Sequence, residues 1–273
     1  MKVRQPQLDF SDMPTRWARN GEFAQSANAS STAFPHLEPF LNRVMSRARA
    51  AIKGDSPADV ELRKQISIFI KQESVHYKTH AQYNEILRRG EYPKIPEFEA
   101  ELAKHYEKIL ATKSLAFLTA YCEGFEILGP PSAINWLDEL EDMVEGADPR
   151  AVAMWKWHLM EEYEHRFVAY DVFKRIHGGY FMRIYGMLYQ AYHLFSYVAK
   201  VNSYILSVDR EKMTPEELRV SKINAKVASK RSSNRMFKQF LRGLSPFYRP
   251  QINEEPRNYK HFMKNVERMI IAT

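Results

Sequence analysis

Between Pro57 and Gly90 the chain runs without one glycine or proline, and its apolar residues recur at spacings of three and four. A helix over that stretch is about 50 Å long at about 1.5 Å per residue, far beyond the usual span of a strand. A helix of that length must lie against partners of comparable length to bury its apolar stripe. With only 10 glycines in 273 residues, the rest of the chain has little of the punctuation that a turn-rich β architecture needs. The expectation is an all-α bundle.

The same periodicity divides the chain. Residues 1–34 are polar, with Asn-Ala-Ser-Ser-Thr at 28–32, and read as an irregular arm. A first helix is expected from about Pro35 to Gly54, where Leu37, Phe40, Leu41, Val44 and Met45 share a face. The second covers about 58–89, the third about 97–128, a short one about 132–145, the fourth about 149–176 and the fifth about 180–207. Residues 35–207 thus form the bundle, and 208–273 a helical C-terminal extension packed on the same domain.

Two of these helices carry related patterns. The second holds Glu73, His76 and His80; the fourth holds His158, Glu162 and His165. At about 100° per residue, each trio falls within an arc of about 60°, so each helix presents one carboxylate and two imidazoles on a single face. Glu-x-x-His occurs in both windows. One such pair on a helix is ordinary; two, each with an extra histidine, point to a metal pair held in a bundle, where two helices give Glu-x-x-His and two others a lone Glu. The lone residues are Glu38 in the first helix and Glu123 in the third, with Glu126, one turn on, a rival for Glu123. Glu38 and Glu73 each lie about 15 residues from the turn at 54–57, so an antiparallel hairpin brings them level, roughly 22 Å from it. Carboxylates bridge and neutralise two cations, while imidazoles suit iron, manganese or zinc. Glu73 and Glu162 are the expected bridges, although Glu161 also lies near both histidines of its helix. Gln72, Asn84 and Asp171 are candidates to support the ligands, and Tyr77, Tyr121, Trp155, Trp157 and Tyr163 to line a pocket.

The run Phe69-Ile70-Lys71-Gln72-Glu73-Ser74-Val75-His76, with His80 and Tyr83-Asn84, resembles the first signature of the bacterial proteins known as predicted metal-dependent hydrolases. Trp157-His158, Glu161-Glu162, Glu164-His165, Val168-Ala169 and Asp171-Val172 resemble the second. That resemblance, over about residues 35–205, implies a ferritin-like di-metal bundle. It usually carries a histidine after the lone Glu, where this chain has Gly124. The His-x-x-x-Glu-x-x-His run at 158–165 is also similar to that of ferritin-like arylamine N-oxygenases, in which an added histidine joins a di-iron site. The resulting expectation is a non-haem di-iron oxygenase or oxidase that uses O2 and an electron donor on a small organic substrate. The alternatives are a di-metal hydrolase, with manganese or zinc also suitable, and a metal-binding protein without catalysis.

The net charge of +7 has its densest stretch between Lys222 and Arg242, without the interleaved aromatics of a nucleic-acid stripe, so a solvated face is expected and no nucleic-acid partner. Cys122 is the single cysteine, which rules out an intramolecular disulfide and fits a reducing compartment. Met1 to Pro6 carries no apolar run of the secretory kind, and a cytoplasmic location is expected. The aromatic stretch Tyr180 to Leu206 is interrupted by Arg183, Gln190, His193, Lys200 and Asn202. It is expected to be a buried or oligomer-facing helix, consistent with a homodimer, with membrane contact the lesser alternative.

Overall fold

The computed structural model describes residues 1–250, 256–261 and 264, and the end of the expected C-terminal extension lies outside them. Among the described residues the chain is helical, without strands. The helices are α1 (Gly21–Ser31), α2 (Phe34–Ala51), α3 (Pro57–Arg89), α4 (Ile95–Thr112), α5 (Leu115–Glu126), α6 (Gly129–Ile134), α7 (Glu141–Val144), α8 (Pro149–His165), α9 (Val168–Ile176), α10 (Tyr180–Arg210) and α11 (Pro215–Gly243). A single π-helical turn, Asn135–Glu139, joins α6 to α7.

Local chemistry sets the ends of the long helices. The Ser56 side chain accepts from the Asp59 amide at the start of α3, with Pro57 in the first turn, where its missing N–H costs nothing. Gly90 caps the far end. In α11 Thr214 and Glu217 form a reciprocal capping box. Helices α2 and α3 form an antiparallel hairpin through a short turn, and α5 lies along α10. That second contact is close because two glycines face it: a Cβ on Gly124 would lie 2.6 Å from Met187 Cα, and one on Gly186 2.5 Å from Ala120 Cβ. The glycine after Glu123 therefore serves helix packing.

Four features depart from the expected elements. The third helix is two, α4 and α5, because Ser114 turns extended and caps α5 through the Phe117 amide. The fourth is also two, α8 and α9, with the break at Arg166, whose guanidinium lies 3.9 Å from the Tyr163 ring centre. In the C-terminal part, where the sequence suggests one or two shorter helices after the turn at Thr214, the described residues hold one long helix, α11.

The fourth departure is the N-terminal arm. Residues 1–20 lack a helix, yet Arg4, Phe10, Met13 and Trp17 are buried, and residues 21–31 form α1. Its polar residues read as a loop because each satisfies a partner from another segment: Asn28 accepts from the Trp17 indole at 2.9 Å, and Ser31 donates to Asn84 at 2.5 Å.

No helix among the described residues is long and apolar enough to cross a membrane.

Candidate metal centre

Helices α2, α3, α5 and α8 each send a buried carboxylate inward: Glu38, Glu73, Glu126 and Glu162. Histidines His76 of α3 and His158 and His165 of α8 face the same space. Three sets of potential ligand atoms lie within 4.8 Å of one another: Glu38 with His76 and His158, Glu73 with Glu126 and His165, and Glu73 with His76 and Glu162. Glu73 and Glu162 lie between the two ends, His165 Nε2 being 3.2 Å from Glu73 and 3.4 Å from Glu162.

Of the eight residues expected at the site, Glu38, Glu73, His76, His158, Glu162 and His165 come together. Glu123 does not join them. Its carboxylate lies 3.6 Å from the Arg183 guanidinium, and burial pushes it up to about 7 while Arg183 pulls it down. The neighbouring Glu126 takes the inward place, 3.3 Å from His165 Nε2. Glu123 and Glu126 differ by about 60° of helix rotation, less than a sequence without a fixed helix phase can resolve. His80 stands one layer back, behind His158.

Each inward imidazole is held from behind. His76 donates from Nε2 to Glu161 at 3.0 Å, and Glu161 is held by Arg4 at 2.9 Å. The Gln72 amide donates to the Lys2 carbonyl at 3.0 Å and to Glu164 at 3.1 Å, so its oxygen accepts from His165 Nδ1 at 3.2 Å. For His158 the support is a relay that can be followed from its far end. Asn84 donates its amide N–H to the Ser31 carbonyl at 3.1 Å, which fixes its oxygen as an acceptor for the Ser31 hydroxyl. Ser31 Oγ, its proton spent, accepts from His80 Nδ1 at 2.7 Å. His80 Nε2 is then a bare lone pair, and His158 Nδ1 donates to it at 2.6 Å.

This relay has a sharp consequence. His158 Nε2 is left without a proton, 3.1 Å from Glu162 and 3.5 Å from Glu38. Two kinds of acceptor face each other in a buried space. Around them, both oxygens of Glu38, Glu73 and Glu126, one of Glu162, His76 Nδ1 and His165 Nε2 also lack hydrogen-bond partners. Buried polar atoms are normally satisfied, so such a convergence calls for cations. Four carboxylates would balance two divalent ions.

The protonation pattern expresses the same conflict. Burial, then the charges of Glu73 and Glu162, push Glu38 well above the usual carboxylate range. Burial, then Glu162, push Glu126 to about 8. Burial acts on Glu162 too, but charged His165 holds it well below that range. Against burial, the hydrogen bond to Glu161 and the nearby charge of Glu73 raise His76 to about 9. Burial, then charged His76, take His158 down to about 4, and burial also holds His80 low. Neutral His80 and His158 are what the relay requires.

Aromatic rings grip the imidazoles: Phe34 lies 4.6 Å from His80 and 4.8 Å from His158, Phe69 4.7 Å from His165, and Trp157 4.9 Å from His76. A cavity of about 200 Å³ opens beside His158 and Glu162, walled by Phe34, Phe125, Trp136, Trp155 and Leu159. Trp155 is thus a wall of this cavity, while Tyr121 packs on Tyr106 and Phe40, and Tyr163 on Tyr259.

A sequence profile of the family described as "Predicted metal-dependent hydrolase" matches residues 2–254. The chain belongs to that family. Metal dependence and an enzymatic role follow at that level of description. No curated protein and no solved structure matches it. Arg4 and Ser31 carry no motif, and their part in the centre, like the contact of Glu164 with Arg4 and Gln72, emerges only from the fold.

Proposed function

We propose that the chain is a non-haem di-iron enzyme that activates O2 on a small-molecule organic substrate. Glu38, His76 and His158 would hold one ion, Glu126 and His165 the other, with Glu73 and Glu162 between them in a ferritin-like arrangement. The reading is carried by the unprotonated His158 Nε2 set against two carboxylates. Iron at these ligands would supply the electrons and open positions that dioxygen chemistry needs, with an external electron donor restoring the ferrous state. The protein's part is orientation and exclusion. The Ser31–His80 relay fixes the tautomer of His158, Glu161 and Gln72 orient the other two imidazoles, and Phe34 and Trp155 keep water from the cavity side.

Oxygen chemistry is favoured by the cavity: beyond the cluster its wall offers apolar groups and serines, with no further carboxylate, lysine or histidine among the described residues to protonate a leaving group. The family description favours the second reading, a di-metal hydrolase in which the ions lower the pKa of a bound water. Anaerobic loading with Fe(II) should give about two ions per chain. Admission of O2 should then produce a transient visible absorption and substrate-dependent turnover. Hydrolysis under argon with Zn(II) or Mn(II) would favour the second reading, and slow oxidation without turnover a non-catalytic protein. Less than about one ion per chain under saturating metal would defeat all three.

A further inference from the structure

The cavity at His158 does not end at its own walls. Ser26, Ser30, Leu128, Ser132, Trp136 and Met236 also line a second, larger groove of about 920 Å³. This groove runs between α10 and α11 and reaches the surface beside Tyr192 and Phe237, which are 79% and 62% exposed. The two form one channel from solvent to the metal centre.

Its chemistry is selective. Apart from the cluster's own His158 and Glu162, the charged residue on the channel wall among the described residues is Glu22, and Arg16 holds that carboxylate at 2.9 Å. The serine hydroxyls are less polar than their number suggests: Ser30 donates to the Ser26 carbonyl at 3.0 Å and Ser132 to that of Leu128 at 2.8 Å. Away from the cluster, an ionised group inside the channel would meet only a carboxylate already paired with Arg16, and it would lose its hydration. Two unmet acceptors lie along the outer groove. The side-chain oxygens of Asn135, 3% exposed, and Asn202 are buried without a hydrogen-bond partner.

We propose that the channel binds an elongated, uncharged amphiphile, an alkyl or alkyl-aryl chain bearing a hydroxyl or amide N–H. Its apolar end lies against Phe34 and Trp155 beside His158, and its donor group reaches Asn135 and Asn202. The inference names the substrate class of the metal centre and rests on that reading, but binding to the channel does not require the metal.

Trp136 and Trp155 on the inner wall provide the gauge. Metal-free protein is titrated with dodecanol brominated at the chain terminus and with an isomer brominated beside the hydroxyl, and tryptophan fluorescence is recorded. Terminal bromine should quench strongly and its isomer weakly. The corresponding terminally brominated fatty acid should bind at least about tenfold more weakly, because its carboxylate has to be desolvated. Ser232→Phe, on the α11 wall of both compartments, and Ala27→Phe, on the α1 wall, should each weaken alcohol binding by about tenfold or more while metal content stays at the parent value. Asn202→Leu should abolish the preference for the alcohol over the bromoalkane. Equal quenching by both isomers, equal affinity for the acid, or unchanged binding in folded Ser232→Phe and Ala27→Phe would overturn the proposal. Loss of metal with intact alcohol binding would instead count against the metal reading alone.

Discussion

Arg4→Met deletes a guanidinium that holds two carboxylates of α8 at once. Arg4 lies 2.9 Å from Glu161 and 2.7 Å from Glu164, and the Arg4 and Glu161 side chains are 4% and 0% exposed. Without it the buried Glu161 carboxylate loses its cationic partner and keeps the His76 imidazole at 3.0 Å. Breaking a buried pair from one side costs about 3–5 kcal/mol, mostly the penalty of the charge left behind. At roughly 2–4 °C per kcal/mol for a chain of this size, the melting temperature should fall by about 6–20 °C. Metal affinity should fall as well, by about ten- to a hundredfold, because Glu161 orients His76. Calorimetry of the metal-free and metal-loaded forms, with a competition titration against a chelator, measures both effects. Arg4→Lys should recover part of the stability, since an ammonium can meet one carboxylate but cannot span both in the same geometry. A melting temperature within about 2 °C of the parent for Arg4→Met, well short of that fall, would refute the claim that this segment supports the centre.

Three further outcomes follow from the same geometry. Glu126→Gln should lower metal content from about two ions per chain, whereas Glu123→Gln should leave it unchanged; elemental analysis of both variants decides between the two residues. Ser31→Ala removes the acceptor that sets His80 and through it His158, so metal should bind about ten- to a hundredfold more weakly, while Ser31→Thr, which keeps the hydroxyl, should stay near the parent in the same chelator titration. For the metal-free protein, the folded pKa of Glu126, about 8, lies above its ordinary value of 4.5, so its contribution to stability is present below pH 4.5 and is lost as pH rises towards 8. The melting temperature of the metal-free form should therefore decline over that window, with a shallower slope in Glu126→Gln, and metal affinity should rise over the same window as the carboxylates shed protons; a metal-free melting curve flat in pH would contradict the raised carboxylate.

The helical periodicity carried much of this centre. Glu73 with His76, and His158 with Glu162 and His165, share faces by arithmetic alone, and the register of the α2–α3 hairpin places Glu38 beside them. What the sequence could not decide was phase and partnership. Glu123 and Glu126 differ by a small rotation of α5, and that rotation is set by the close seat of Gly124 and Gly186 on α10. The same holds for His80, which shares a helix face with His76 but is drawn back by Ser31 from another helix. The breaks at Ser114 and Arg166 contain neither glycine nor proline, so composition left them invisible. The arm at residues 1–34 misled for a related reason: its asparagines and serines are polar in the service of buried bonds, which single-segment reading takes for solvent exposure.

The Arg4 contacts also have a temporal side. Arg4 reaches Glu161 across 157 positions and Glu164 across 160. Contacts so distant in sequence carry a large loop-closure cost and tend to form after local ones. Helices α2, α3 and α8 can therefore assemble while Glu161 and Gln72, the partners of His76 and His165, still lack Arg4 and the Lys2 carbonyl, and the earliest segment of the chain becomes one of the last to dock. The finished metal centre is then a record that both ends of this long circuit have met, and metal uptake during refolding should lag behind the gain of helix.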